Sequence, residues 1–490
     1  MKDSIWNAGK IVAAALCAAF LTTACTGKNT QGKLDPGDPV SVEIWHYYNG
    51  PQKLAFDDLV ESFNETVGQE QGIIVEAFGQ GNVNELFQKV HDAIDKKVGA
   101  SEVPDVFSAY TDTLYDLDRR GMVADLSKYF TEEELAGYVE AYVEEGYFDG
   151  TDGLKIFPTA KSTEIMMINQ TDWDQFAADT GASMDDLNTI EGVVAVSEAY
   201  YHWTDEKTPE FPDDGKAMFG RDAMANYMIL GYYQLTGDSL FSKEDGIVSF
   251  KPQEAAFRKL WDNYYVPYIN GWFGAYGRFR SDDAKTGDLI AFVGSTAGAY
   301  YFPEQVTLED DTSYPIEAAV FPAPCFDGVK PSAIQQGAGM AVVSSDPRTE
   351  LAAATFLKWF TQAEQNIDFA ISSAYLPVKK AANDMVPIEK SEGFQALSPS
   401  VQDSLTVSVG VVNDYELYYE KAFSGSSNVR EVLEYSLSDR AKADRVQVLA
   451  QVKSGMTLEE AVSRYTSDQN FQDWYQGFVE EVRAEISANQ

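Results

Sequence analysis

Two periods of hydrophobic and polar positions organise the first hundred residues after the N-terminal segment. Val40, Val42 and Ile44 are apolar at every second position, the spacing of a half-buried strand. The sequence WHYYNGP (45–51) interrupts this as a loop. Within 51–64, Leu54, Leu59, Val60 and Phe63 recur at helical spacing. GIIVEAF (72–78) predicts a second strand, and 83–98 a helix with Leu86, Phe87, Val90 and Ile94 on one face. PDVFSAY (104–110) predicts a third strand, followed by a helix over 112–120 that Gly121 closes. Strand and helix in alternation predict an α/β lobe around a largely parallel sheet.

The pattern recurs later in the chain. Residues 155–169 (KIFPTAKSTEIMMIN) read as extended. DLIAFVG (288–294) reads as a strand running into a Gly/Ser loop, and 314–324 and 337–344 as further strands. Asp346-Pro347 supplies an N-cap and a first-turn proline for a helix carrying Ala352, Phe356, Trp359 and Phe360. Thr361 and Glu364 have the spacing of a capping box for the next helix. The last third is mainly helical. No internal repeat or low-complexity block is present.

The N-terminus adds an export signal to this picture. Lys2 and Lys10 flank a basic stretch, and Ile11–Leu21 is an apolar run of about ten residues, too short for a permanent span. It ends at Leu21-Thr22-Thr23-Ala24-Cys25, which resembles a bacterial lipobox. Thr22 departs from that pattern, where Leu is commoner. The expected processing removes 1–24 as a signal peptide and lipidates Cys25. Residues 25–39, polar with Gly and Pro, would be a lipid-anchored tether. Cys17 leaves with the signal, so Cys325 stands alone and no disulfide is expected. The net charge of −40 becomes −41 when Lys2, Lys10 and Asp3 are removed. Such a chain repels nucleic acid and anionic lipid surfaces, which leaves the lipid as the membrane attachment.

The order of segments in the mature chain resembles the family 1 extracellular solute-binding proteins of ABC importers, the group of the maltose- and glycerol-3-phosphate-binding proteins. VEIWHYYNGP (42–51), VPDVFSAY with GMVADL (103–110 and 121–126), GDLIAFVGSTAG (287–298) and GAGMAVVSSDP to AYLPV (337–378) carry the likeness. The resemblance implies a two-lobe periplasmic-binding-protein fold (type II), α/β in class, with crossing strands and a central cleft. It implies lobe one at 40–157 plus 297–375, and lobe two at 158–296 plus 376–490.

The same likeness nominates ligand contacts. Trp45 and Tyr47 follow the first strand; alternation separates them from His46 and Tyr48, and one of the two pairs should face the ligand. Tyr110 and Asp112 end the third strand, where glycerophosphate-binding relatives carry Glu directly after the aromatic and this chain has Thr111. Ser162 lies in the crossing segment and Ser295 after the returning strand. Gly337 precedes the late strand, where a small residue lets backbone N–H groups approach a ligand. Tyr227, in AMFGRDAMANYM (217–228), and Trp272, in NGWFGAYGRF (270–279), are further aromatic candidates. Tyr375 sits in a motif resembling the family's Gly-Tyr-Leu-Pro, and Arg430 aligns with an arginine that grips phosphate in glycerophosphate-binding relatives.

Catalytic signatures are missing from this sequence. It has three histidines, no HExxH, no GxSxG elbow and no P-loop. The expectation is a binding protein and not an enzyme, with no cofactor and no metal. Its partners would be a small polar solute, first a sugar or oligosaccharide, and ABC permease subunits in the membrane. It would act as a monomer on the outer face of a cell membrane. A glycerol-3-phosphate or glycerophosphodiester ligand is the alternative. A secreted carbohydrate-active enzyme and a surface adhesin or chemosensory carrier are the alternatives of other classes.

Overall fold

The computed structural model describes residues 32–148, 153–244 and 247–489. The predicted signal peptide, Cys25 and the tether up to residue 31 lie outside the described residues. Among the described residues no helix is long and apolar enough to cross a membrane.

Two four-stranded sheets carry the architecture. The first runs Gly339–Val342, Val106–Ala109, Val40–His46, Ile73–Gly79 in spatial order. Val40 pairs with Ile73 and Ile44 with Val106 in parallel, while Gly339–Val342 joins antiparallel to Val106–Ala109. The alternation seen in the sequence buries Val42 and Ile44 completely, against Phe56, Val60 and Phe63 of the helix Gly50–Phe63. The helix Val83–Ile94 carries a capping box that was not expected from the sequence, with Asn82 and Glu85 exchanging bonds.

The second sheet runs Ala318–Pro322, Glu164–Asn169, Ala291–Ser295, Phe219–Arg221. Glu164–Asn169 is antiparallel to both neighbours, and all six of its residues are buried. A strand covered on both faces reads as a continuous apolar run, which EIMMIN nearly is. Around this sheet lies the larger core, built on the helices Met224–Thr236, Glu254–Asn270, Ser426–Lys453 and Asp468–Asn489.

The lobes are joined at Phe157–Thr163. Phe157 bridges Met340, Lys161 bridges Leu376 and Ser162 bridges Gln336. The N–H of Thr296 donates to the carbonyl of Thr163 at 2.9 Å. A Cβ on Gly339 would meet the Phe157 carbonyl oxygen at 2.7 Å, so the chains cross closely only because this residue is glycine. The helix Pro399–Asp414 packs on Ala318–Pro322 of the second sheet, yet Leu405, Val409 and Val412 enter the first lobe's core.

Three details differ from the sequence reading. Ala318–Pro322, given to lobe one by the boundary at 297, pairs in the second sheet, because its partner strand is distant in sequence. Residues 376–398, given to lobe two, place Leu376, Val378, Ile388 and Phe394 in the first lobe's core. The capping box at Thr361 does not form. The helix Ala363–Ser373 starts after Gln362 without a side-chain cap, and the Thr361 hydroxyl bonds the Leu357 carbonyl and the Tyr138 hydroxyl instead.

Candidate functional site

A cavity of about 520 Å³ lies between the lobes, within the range of small-molecule sites. Phe87, Tyr110, Asp112, Glu145 and Tyr375 face it from the first lobe. Asn226, Phe241, Ser295, Arg430 and Tyr435 face it from the second, and Ser162, Gln335 and Gln336 of the crossing segments line it between them. Tyr110 follows directly on the strand Val106–Ala109 and caps the backbone start of the helix Thr111–Arg119. The cavity therefore opens at the carboxyl end of a parallel strand, where α/β sheets bind ligands.

Tyrosines form one wall. The hydroxyls of Tyr47 and Tyr375 are 3.2 Å apart and hydrogen-bonded. Burial pushes the phenols of Tyr47, Tyr110 and Tyr375 far up, so all three stay neutral donors and acceptors. Acceptors line much of the remainder. Asp112 Oδ1, Gln335 Oε1 and Gln336 Oε1 are covered and have no hydrogen-bond partner among the described residues. Burial raises the Asp112 carboxyl, and the positive charge of Arg430 opposes this. One Arg430 Nη donates to Asn226 Oδ1 at 2.7 Å.

Glu420, also in the lining, is pushed up to about 7 by burial, although the Tyr418 hydroxyl donates to it at 2.9 Å. A carboxyl raised in the folded state holds its proton more tightly there than in the unfolded chain. Stability therefore falls as pH rises from the ordinary carboxylate range toward 7, by up to about 1.4 kcal/mol per pH unit. Glu420→Gln is expected to flatten that part of the profile. Thermal midpoints of both proteins at pH 5 and 7.5 check this: an unchanged difference would contradict it.

Of the residues nominated from sequence, Tyr110, Asp112, Ser162, Ser295, Tyr375 and Arg430 come together in the cavity lining. Tyr47 stands behind Tyr375. Four are placed elsewhere. Trp45 is buried among Leu86, Val90 and Phe107, with its indole N–H donating to Glu43 Oε1 at 2.6 Å. Tyr227 lies in the second lobe's core and donates its hydroxyl to the Leu260 carbonyl at 2.9 Å. Trp272 is half-buried against the same core, its carbonyl accepting from the Met218 N–H. Gly337 lies beside the lining with φ +90°, and its carbonyl accepts from Lys161 Nζ at 2.7 Å. Its glycine serves the backbone turn, since a Cβ there would meet the Ala160 carbonyl oxygen at 2.9 Å. His46 and Tyr48 stack on each other and pack edge-on and tilted against Phe56, while Tyr47, of the opposite alternation, bonds Tyr375 of the lining.

The sequence reading missed Glu145, Gln335, Gln336 and Glu420. The Gln335-Gln336 pair directly precedes the glycine motif and carried a usable signal; Glu420 carried none.

Outside the lining, further contacts join the lobes; besides the Tyr300 hydroxyl on the Ile371 carbonyl and the Asn413 amide on the Asn383 carbonyl, they include two from the segments 241–244 and 420–425. Lys243 Nζ donates to the Tyr115 hydroxyl at 2.5 Å and lies 4.4 Å from the ring centroid. The Ser424 hydroxyl donates to Asp116 Oδ1 at 2.8 Å.

Two α/β lobes, crossing segments and a cavity of mixed polar and aromatic lining between them define a two-lobe binding protein. Residues 58–396 match the model of the bacterial extracellular solute-binding proteins, and the chain belongs to that family. No curated protein sequence matches it. Solved structures share the fold. The cyclic alpha-maltosyl-1,6-maltose binding protein of Arthrobacter globiformis is 18% identical, with TM-score 0.63, over 92% of this chain and 100% of that one. UgpB of Mycobacterium tuberculosis, in complex with glycerophosphocholine, is 18% identical with TM-score 0.58, over 90% and 98%. The Thermus thermophilus maltotriose binding protein is 15% identical with TM-score 0.57, over 91% and 100%.

Proposed function

We propose that this chain is the lipid-anchored receptor of an ABC importer, and that it captures a sugar or oligosaccharide in the interlobe cavity. The observation that carries the reading is the lining itself. Asp112, Gln335 and Gln336 bring acceptors without partners among the described residues to the lining, which suits a ligand rich in hydroxyl donors, and tyrosine rings suit the apolar side of a sugar ring. Lobe closure about the crossing segments would exclude water and present a permease with one shape. We place lobe one at 40–162 with 335–398 and lobe two at 163–334 with 399–489, a division that the sheet pairing and the two cores support. Cys25 would carry the lipid; a Cys25→Ser precursor that still acquires a lipid by mass spectrometry would refute that attachment.

The binding test is a thermal-shift screen with neutral oligosaccharides, polyols and glycerophosphodiesters. Ligand bound only to the folded state raises the midpoint. Tyr375→Ala and Ser162→Ala are each expected to weaken the binding of any hit by about tenfold, or ~1.4 kcal/mol, with Tyr375→Ala, which also removes a buried ring, compared at a temperature well below its own thermal midpoint. Unchanged affinity in both would exclude this cavity, and turnover of a glycan would exclude the receptor reading. A second reading, a glycerophosphodiester ligand, is favoured by one observation: the Arg430 guanidinium faces the cavity, and its fork suits phosphate.

A further inference from the structure

Behind Arg430 the second lobe holds a buried polar chain. Arg430 Nη donates to Asn226 Oδ1 at 2.7 Å. Asn226 Nδ2 donates to Glu164 Oε1 at 2.9 Å. Glu164 Oε2 accepts from Arg221 Nη at 2.8 Å, and Arg221 lies over the Tyr227 ring. Asn226 is 1% exposed and Glu164 3%.

The polarity of this chain has one solution. An ionised carboxylate only accepts and a guanidinium only donates. Asn226 must therefore turn its NH₂ to Glu164 and its carbonyl to Arg430. Arg221 cancels the charge of Glu164, so Arg430 is held by a neutral acceptor and keeps its own charge. Arg430 forms no ion pair among the described residues. Its remaining N–H groups are left for the cavity. Glu164 is also the first residue of the strand that follows the crossing segment, so the guanidinium is referenced to the hinge and not only to its own helix.

We propose that Asn226, oriented by the Glu164–Arg221 pair, is a positioning residue that fixes the Arg430 guanidinium in the cavity, and that this fixed fork selects ligands presenting an acceptor pair at that point. The selectivity part rests on the cavity being the ligand site.

Two measurements test it. The first needs no ligand. Rotation of the Arg430 guanidinium, followed by side-chain NMR, should be slow in the wild type and fast in Asn226→Ala. Glu164→Gln should also speed it, because Arg221 and Asn226 donate to different oxygens of Glu164, and a glutamine would set its NH₂ against one of those donors. Rotation as slow in both variants as in the wild type would overturn the proposal, provided their thermal midpoints show folded protein. The second uses maltotriose and glycerophosphocholine as probes. Asn226→Ala should weaken the better probe by about tenfold in the wild type and by less than about twofold on an Arg430→Ala background, the non-additivity of residues acting as one unit. Losses that multiply would show that Asn226 acts on the ligand independently of Arg430, against the proposal. If neither probe nor any screened solute binds wild type, the binding-site reading fails, while the rotation measurement still decides the positioning role.

Discussion

Arg221→Met is expected to destabilise the folded protein by about 3–5 kcal/mol. The side chains of Arg221 and Glu164 are 9% and 4% exposed, and they form an ion pair at 2.8 Å within the second lobe. Removing the cation leaves a buried carboxylate whose one remaining partner is the Asn226 amide. That carboxylate has lost its water and would no longer have its counter-charge. The double variant Glu164→Leu/Arg221→Met should lose less than Arg221→Met, because it buries no unpaired charge. Denaturant titration of the three proteins measures both effects. A loss below about 1 kcal/mol in the single variant would mean that the pair behaves as a solvated surface bridge.

Trp261→Ala should cost a similar amount, about 3–5 kcal/mol. Trp261 is fully buried and stacked on Tyr265, with ring centroids 3.6 Å apart. Phe471 and Trp474 of the C-terminal helix close on its other sides at 5.8 and 5.1 Å. This one indole therefore ties the helix Glu254–Asn270 to Asp468–Asn489. The helix Ser426–Lys453, which carries Arg430, packs against both. The expected result is a lower thermal midpoint, together with weaker solute binding near that midpoint. Trp261→Phe should recover part of the loss. An alanine variant with a wild-type midpoint would place the closure of this lobe elsewhere.

The first lobe was the more legible part of the fold. Its strands and helices follow one another locally, and the periods of Val40–Ile44 and Leu86–Ile94 were enough to place them. The second sheet depends on pairing between segments far apart, such as Ala318 with Asn169, and no local pattern encodes such a partner. The strand Phe219–Arg221 is three residues long, too short to show a period. The site was readable where residues follow strand ends, as at Tyr110 and Ser295. It was unreadable where an aromatic on a helix or on the loop after one could face either core or cleft. Tyr227 and Trp272 have the composition of a sugar platform, and only packing against the second core decides otherwise. Alternation separated Tyr47 from His46, but the choice of side needed Phe56.

The contacts of Lys243 with Tyr115 and of Ser424 with Asp116 have a kinetic consequence. They bridge the lobes outside the cavity lining, so a widening of the cleft on their side would have to break them, whatever the cleft holds. On the receptor reading proposed above, the residence time of a captured molecule would then have two independent factors. One depends on the chemistry of that molecule, and the other is a delay set by the protein and common to every molecule held. Substitutions at Lys243 or Ser424 would shorten that common delay for all of them alike, and leave their order of preference unchanged.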